Sequence, residues 1–203
     1  MEKKKLVIFD FDGVLVESLD LWFRITQENN PGLNKQEYEA MSHGSYIDAF
    51  ESKKLVYTEE GIRAYRQELY TIATPKPIVS FIEKNHSKYI FAVVSSGNEN
   101  TIKNFLAKEG LEMYFSNVLG SETHKSKTNK LNDLLRIHSG TKSNVIFVTD
   151  TLGDILEANE AGVKSIGVLW GLHDRETLER GNPEIIIDDP ALLEETIEKV
   201  LNE

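Results

Sequence analysis

The stretch Leu6-Val7-Ile8-Phe9-Asp10-Phe11-Asp12-Gly13-Val14 decides the fold. Apolar residues run unbroken from Leu6 to Phe9 and stop at two carboxylates, Asp10 and Asp12, followed by a glycine. A strand that is apolar on both faces is buried on both faces, as in a parallel sheet covered by helices. Asp10 then stands at the C-terminal end of that strand, where open α/β sheets bind their ligands. Residues i and i+2 of a strand share a face, so the two carboxylates can converge on one point. Two charges held that close and away from water need a cation or a proton to offset them.

C-terminal to this stretch the apolar period changes. Leu19, Trp22, Phe23 and Thr26 fall on one helical face, which Asn29-Asn30-Pro31-Gly32 ends. Asn34 with Glu37 forms a capping-box pattern ahead of Tyr38 and Met41. Ser42-His43-Gly44-Ser45 reads as a turn, and Ile47 with Phe50 as the apolar side of a further helix. Thr58 caps another that carries Ile62, Tyr65, Leu69 and Ile72, until Thr74-Pro75-Lys76-Pro77 breaks it.

From Pro77 onward strands and helices alternate. Strands are expected at Tyr89–Val94, Val118-Leu119, Val145–Val148, Ser165–Trp170 and Glu184–Ile187. The helices between them carry Ile78/Phe81/Ile82, Ile102/Phe105/Leu106, Leu131/Leu134/Leu135, Ile155/Ala158/Ala161 and Leu193/Ile197/Val200/Leu201. The pattern predicts an α/β protein: a Rossmann-like, three-layer parallel-sheet core made of residues 1–15 and 76–203. Residues 16–75 form a small α-helical cap domain inserted after the first strand.

Composition narrows the function. A chain of 203 residues, 40% hydrophobic and 28% charged, has enough material for one full core and a small second lobe. It has no cysteine, so disulfides, thiolate metal sites and cysteine nucleophiles are excluded. The formal net charge of −10 repels nucleic acid, and there is no basic stripe to focus it. The apolar run after Lys3-Lys4-Lys5 is too short for a signal peptide or a membrane span. The expectation is a soluble, cytoplasmic protein, monomer or dimer, with neither a nucleic-acid nor a membrane partner.

The apolar strands end in polar residues of different kinds: Asp10 and Asp12, then Ser95-Ser96-Gly97, then Asp150 with Asp154. A lysine-rich segment, Lys125-Ser126-Lys127, precedes the helix that feeds the Asp150 strand. Several carboxylates together call for a hard cation, and Mg²⁺ with oxygen ligands suits them. A hydroxyl, loop amides at Ser96-Gly97 and an ammonium suit a phosphate. A metal, a phosphate site and an aspartate at the focus suggest phosphoryl transfer to that aspartate.

In these motifs the chain resembles the haloacid dehalogenase superfamily of Mg²⁺-dependent phosphohydrolases, and by its helical insert the phosphoglycolate-phosphatase-like members with a type 1 cap. The resemblance rests on Asp10-Phe11-Asp12-Gly13-Val14, on Ser95 after Phe91-Ala92-Val93-Val94, on Lys127, and on Asp150-Thr151-Leu152-Gly153-Asp154 after Val145-Ile146-Phe147-Val148. It implies that Asp10 is the nucleophile and forms an aspartyl-phosphate. It implies that Asp12 is the general acid and then the general base, its backbone carbonyl also reaching Mg²⁺. Ser95, Ser96, Gly97 and Lys127 would bind the phosphoryl oxygens, Asp10 and Asp150 would supply carboxylates to the metal, and Asp154 would orient metal-bound water. The insert of about 60 residues favours a small phosphorylated metabolite over a macromolecule, with His43 and Tyr46 in the turn that reads the substrate.

The chain departs from the family pattern at three places. Thr149 replaces the usual glycine before the fourth motif, where a side chain is expected to narrow the site. Thr128 replaces the proline after the lysine, which leaves Lys125 and Lys130 as rivals to Lys127. Trp22 stands where the sugar phosphomutases of the family carry a histidine, which argues against the mutase alternative. The remaining alternative is a non-catalytic phospho-acceptor or binding protein; the intact Asp10, Asp12 and Asp150 argue against it.

Overall fold

The computed structural model describes residues 4–138 and 141–202. In chain order these residues form β1 (Lys5–Phe9), α1 (Leu19–Asn29), α2 (Lys35–Ala40), α3 (Tyr46–Ser52), α4 (Glu59–Leu69), α5 (Lys76–Asn85), β2 (Tyr89–Val94), α6 (Glu99–Lys108) and β3 (Phe115–Leu119). Then follow α7 (Lys127–Ile137), β4 (Val145–Thr149), α8 (Leu152–Ala161), β5 (Lys164–Val168), α9 (Arg175–Glu179), β6 (Ile185–Ile187) and α10 (Leu193–Asn202). The six strands make one sheet in the order β3-β2-β1-β4-β5-β6, and every neighbouring pair is parallel.

β1 is central because it is apolar on both faces. Val7 and Phe9 join Ile78, Phe81, Phe105 and Ile197 from α5, α6 and α10 on one side. Leu6 and Ile8 join Leu131, Leu134 and Ala158 from α7 and α8 on the other. The odd and even positions of the strand therefore serve two separate cores. The chain leaves β1 for β2 and β3 on one side, then crosses back to β4 on the other. The sheet thus switches direction between β1 and β4, and a crevice opens at the C-terminal ends of those two strands. Asp10 follows β1 directly, and Asp150 follows β4.

The helices between β1 and β2 begin where their caps require. Asn34 accepts from the backbone N–H of Glu37 at 2.9 Å while the Glu37 carboxylate accepts from the backbone N–H of Asn34 at 3.2 Å, the reciprocal pair expected of a capping box. The Thr58 hydroxyl accepts from Gly61 N–H at 3.0 Å. Leu33, Tyr38 and Met41 form a small core of their own, with Trp22, Phe23, Tyr46 and Phe50 packed against it. That unit sits on the crevice. The approach at Gly153 is so close that a Cβ there would lie 2.1 Å from the Gly44 carbonyl oxygen.

The sequence reading differs from the structure at several ends. β3 starts at Phe115 rather than Val118, and β5 ends at Val168, short of the expected Trp170. Trp170 leaves the sheet to donate its indole N–H to the Val14 carbonyl at 3.3 Å. The short helix α9 has no counterpart in the apolar pattern, because only Leu178 of its five residues is buried. Among the described residues no helix is long and apolar enough to cross a membrane.

Candidate active site

Asp10 is fixed by backbone before its side chain acts. Its N–H donates to the Val148 carbonyl at 2.9 Å, and the Phe11 N–H donates to its Oδ1 at 2.7 Å. Its Oδ2 accepts from Lys127 Nζ at 2.8 Å, and the same ammonium donates to Asp154 Oδ2 at 2.7 Å. All three groups are buried. Burial pushes the Asp10 carboxyl well above the usual carboxylate range; Lys127 pulls it down, and Asp154 and Asp150 push it further up. Burial also raises the Asp154 carboxyl, but Lys127 and the hydrogen bonds it accepts outweigh that and hold it low. Burial alone would discharge the Lys127 ammonium, but the two flanking carboxylates win and keep it charged.

The rival lysines are separated by placement. Lys125 is exposed and pairs with Glu51 of α3 at 2.5 Å. Lys130 is fully buried, and its Nζ donates to the Ser95 carbonyl oxygen at 2.5 Å. Only Lys127 of the three touches Asp10. Ser95 is also buried; its hydroxyl oxygen accepts from Gly97 N–H at 2.9 Å, which leaves the hydroxyl proton for a further acceptor. Ser96 and Gly97 line the same cavity as Asp10, Asp12, Lys127, Asp150 and Asp154.

Thr149 does not narrow the site. It is fully buried and turns its hydroxyl onto Asp154 Oδ2 at 2.6 Å, so it braces the carboxylate that holds Lys127. Asp154, given a place at metal-bound water by the resemblance, uses its Oδ2 to accept from Lys127 and Thr149.

Asp150 is held between two glycines. A Cβ at Gly13 would fall 2.1 Å from its Oδ2, and a Cβ at Gly171 would fall 2.1 Å from its Cβ. Gly13 also has φ +76°, a conformation that L side chains avoid. Asp150 Oδ2 accepts from Leu172 N–H at 2.8 Å, but Oδ1 is buried with no hydrogen-bond partner among the described residues. Burial pushes this carboxyl up to about 7. A buried carboxylate oxygen without a donor is what a hard cation would occupy. No three acidic or histidine side chains among the described residues form a metal cluster by themselves. The carboxylates of Asp10 and Asp150 line one cavity and have the oxygen chemistry that a hard divalent ion takes.

Asp12 has a different environment from Asp10. Its Oδ1 accepts three hydrogen bonds, from the Ser18 hydroxyl at 2.5 Å, the Tyr65 hydroxyl at 2.9 Å and the Trp22 indole N–H at 3.1 Å. Burial raises its pKa, and these three donors oppose the rise. With Oδ1 taken, a proton on Asp12 belongs on Oδ2, which lies 3.7 Å from where a Cβ of Gly97 would be. The Trp22 and Tyr65 side chains, expected only as apolar packing, are therefore polar contacts of the site. The signal available in the sequence was their type: a buried indole or phenol needs a partner for its polar tip.

The cavity above these residues measures about 350 Å³. Tyr46 lines it. His43 does not appear among its lining residues; its ring lies 5.1 Å from that of His173, at the seam between α2 and the start of α8. His173 accepts from Leu152 N–H at 2.9 Å and donates to the Glu39 carbonyl at 3.1 Å, and burial lowers its pKa.

Comparison with known proteins agrees with this fold. Residues 7–168 match the family model described as haloacid dehalogenase-like hydrolase. The phosphoglycolate phosphatase of Synechococcus elongatus is 23% identical, over 97% of this chain and 99% of that protein. The phosphoglycolate phosphatase of Vibrio cholerae is 25% identical, over 97% of this chain and 98% of that protein. Among solved structures, a hydrolase from Pseudomonas syringae superposes with a TM-score of 0.79 at 18% identity, covering 96% of this chain and 99% of the other.

Proposed function

The chain belongs to the haloacid dehalogenase-like hydrolase family, and we propose that it is a Mg²⁺-dependent phosphatase that hydrolyses a small phosphate monoester through an aspartyl-phosphate on Asp10. The observation that carries the reading is the buried Asp150 Oδ1, which has no hydrogen-bond partner among the described residues. Asp150 lines the same cavity as Asp10, Asp12, Ser95 and Lys127, and an oxygen-seeking divalent cation would fill the place beside that oxygen. The relatives named phosphoglycolate phosphatase support the reaction class.

When bound, Mg²⁺ supplies neutralisation of the charge on the phosphoryl oxygens and on Asp10. The chain's own residues do the rest. Ser95 and Lys127 hold phosphoryl oxygens, with Lys130 fixing Ser95 through its carbonyl. An Asp10 oxygen forms a bond to phosphorus as the bond to the alcohol oxygen breaks. Asp12 Oδ2 gives its proton to that departing oxygen. The resulting Asp12 carboxylate then takes a proton from water as the water oxygen attacks phosphorus. The bond to Asp10 breaks, inorganic phosphate leaves and Asp10 is restored. Helices α1 to α4 act as the cap over these steps and exclude bulk water. Trp22 offers Asp12 an indole N–H, which donates and cannot accept a proton, so it favours hydrolysis over a mutase cycle that uses a histidine there.

Phosphate release from a panel of monoesters with Mg²⁺ tests the proposal, with acid-quench trapping of the phosphoenzyme. Asp10→Asn is expected to reduce turnover at least about 1,000-fold and to abolish the trapped species, since the nucleophile is removed. Phosphate release by Asp10→Asn at the wild-type rate would overturn the proposal.

A further inference from the structure

The cap side of the cavity has a chemistry that the phosphate floor does not require. Trp22, Tyr38, Tyr46, Tyr57, Ile62 and Tyr65 line it. Trp22 stacks on Tyr65 with ring centroids 3.8 Å apart and meets Tyr57 at 5.2 Å; Tyr38 meets Tyr46 at 6.1 Å. The polar tips of four of these rings are already engaged. The Tyr46 and Tyr57 hydroxyls bond one another at 2.7 Å, Tyr57 reaches the Thr26 hydroxyl at 3.2 Å, and Trp22 and Tyr65 donate to Asp12. Burial pushes the four phenols up, so the wall is uncharged. Among the described residues, the one cation lining the cavity from the cap side is Arg66, an exposed residue whose Nε donates to Thr101 at 3.0 Å.

The phosphoryl group is held on the floor, and the alcohol oxygen must meet Asp12. Whatever the alcohol carries is therefore pressed against the rings that hold Asp12. A sugar buried there would lose its water hydrogen bonds and find the hydroxyls of Tyr46, Tyr57 and Tyr65 already bonded to other groups. A two-carbon acid would underfill a cavity of about 350 Å³, which is the size that receives drug-sized ligands. A flat ring fits both constraints, because aromatic faces and edges pack on one another and need no donors.

We propose that the alcohol released by this enzyme carries an aromatic or heteroaromatic ring, which packs against Trp22, Tyr57 and Tyr65 during turnover. This rests on the phosphatase reading above and narrows it to a substrate class unlike the phosphoglycolate named for the relatives. Arg66 lines the same cavity and would offer its guanidinium to the ring or to an acidic substituent on it.

The test compares four phosphate monoesters of primary alcohols on the Mg²⁺-loaded enzyme: 2-phenylethyl phosphate, hexyl phosphate, glycerol 3-phosphate and phosphoglycolate. The expected result is a kcat/KM for the phenylethyl ester at least tenfold above each of the others. In Tyr57→Ser that advantage should fall to less than threefold, with the loss in KM. Equal or better turnover of any other ester would overturn the assignment. Binding is measured in parallel by tryptophan fluorescence on Asp10→Asn, which cannot turn the esters over. If no ester is hydrolysed yet the phenylethyl ester binds at least tenfold more tightly, the phosphatase reading fails and the ring site stands. If binding shows no such order, the ring site fails whatever the turnover.

Discussion

Replacing Asp150 by asparagine should make the metal-free protein more stable while removing its response to Mg²⁺. The carboxyl is fully buried, and its pKa is pushed up to about 7. The unfolded chain titrates near 3.9, so the difference is about 3 units, or about 4 kcal/mol at 1.36 kcal/mol per unit. The folded protein binds this proton more tightly than the unfolded chain does. Stability is therefore full below about pH 4 and falls as pH rises through about 7. Asparagine mimics the protonated acid and abolishes the fall; its carbonyl oxygen still accepts from Leu172 N–H, which now reaches Oδ2 at 2.8 Å. At pH 8 with chelator the variant should gain up to about 4 kcal/mol, which for a chain of this size is about 8–16 °C in Tm. Mg²⁺ at about 100 times its Kd should stabilise the wild type by about 2.7 kcal/mol and leave the variant unmoved. Thermal melts of both proteins at pH 5 and pH 8, with chelator and with Mg²⁺, give all four comparisons. A variant no more stable than wild type at pH 8 in chelator, or one that gains as much from Mg²⁺, would refute the account of Asp150 as a buried carboxylate waiting for a cation.

Tyr65→Phe removes one of three donors from Asp12 Oδ1. A hydrogen bond to a charged group is worth about 1.5–3 kcal/mol, so the Asp12 pKa should rise by about 1–2 units. The limb of kcat/KM that falls with rising pH, where Asp12 must be protonated, should move up by that amount; an unmoved limb with a uniform loss of rate would count against it. Thr149→Val removes the hydroxyl from ionised Asp154. Urea unfolding should show a loss of about 1.5–3 kcal/mol at pH 7. Because the Asp154 pKa is depressed, that loss should shrink as pH falls below about 4. Lys130 has its pKa lowered by burial to about 8, against about 10.4 in the unfolded chain. The folded state binds fewer protons between those values, so wild-type stability should rise by up to about 3 kcal/mol from pH 8 to pH 10.4. Lys130→Met should lack that rise, as read by urea unfolding at each pH.

The fold was legible because it depends on period and punctuation. The two-sided apolar runs at Leu6–Phe9 and Val145–Val148 allow only buried parallel strands, and the helical stripes between them fix the layers. The floor of the site was legible for the same reason: Asp10, Ser95 and Asp150 follow strand ends, and the topology brings strand ends together. What stayed hidden was pairing at long range. Tyr65 is 53 residues from Asp12, and Lys130 is 35 from the Ser95 carbonyl it holds. Helical spacing placed Tyr65 with Ile62 and Leu69 on an apolar face, and nothing local says that its hydroxyl reaches across to the core. His43 differs in the opposite direction. Its neighbours Ser42, Gly44 and Tyr46 line the cavity, while its own ring packs near His173 where the turn meets Gly153. Thr149 could be read from sequence as an obstruction only because the sequence does not show which way a β4 side chain points.

Two carboxylates of identical chemistry, two residues apart, acquire different work from what surrounds each. Asp10 is opposed by a full charge, Lys127, and sits close enough to Asp150 and Asp154 for them to push its pKa up. Its ionised form therefore depends on cations, which suits a group that must present a negative oxygen to phosphorus. Among the described residues Asp12 bonds no cation; three neutral donors converge on one of its oxygens. Burial raises both carboxyls, but at Asp12 it is opposed chiefly by neutral donors rather than by an ion pair. In the proposed mechanism such a group gives up and recovers a proton without breaking a salt bridge. The three donors come from Ser18 at the start of α1, Trp22 on α1 and Tyr65 on α4, none of them from the sheet. Asp12 is therefore tuned by α1, its start and α4, while Asp10 is tuned by the sheet and by α7 and α8. If Asp12 is the proton source, as proposed, changes to those helices that alter the accepted alcohol also act on Asp12. Trp22 and Tyr65 belong both to the aromatic wall of the cavity and to the donors on Asp12.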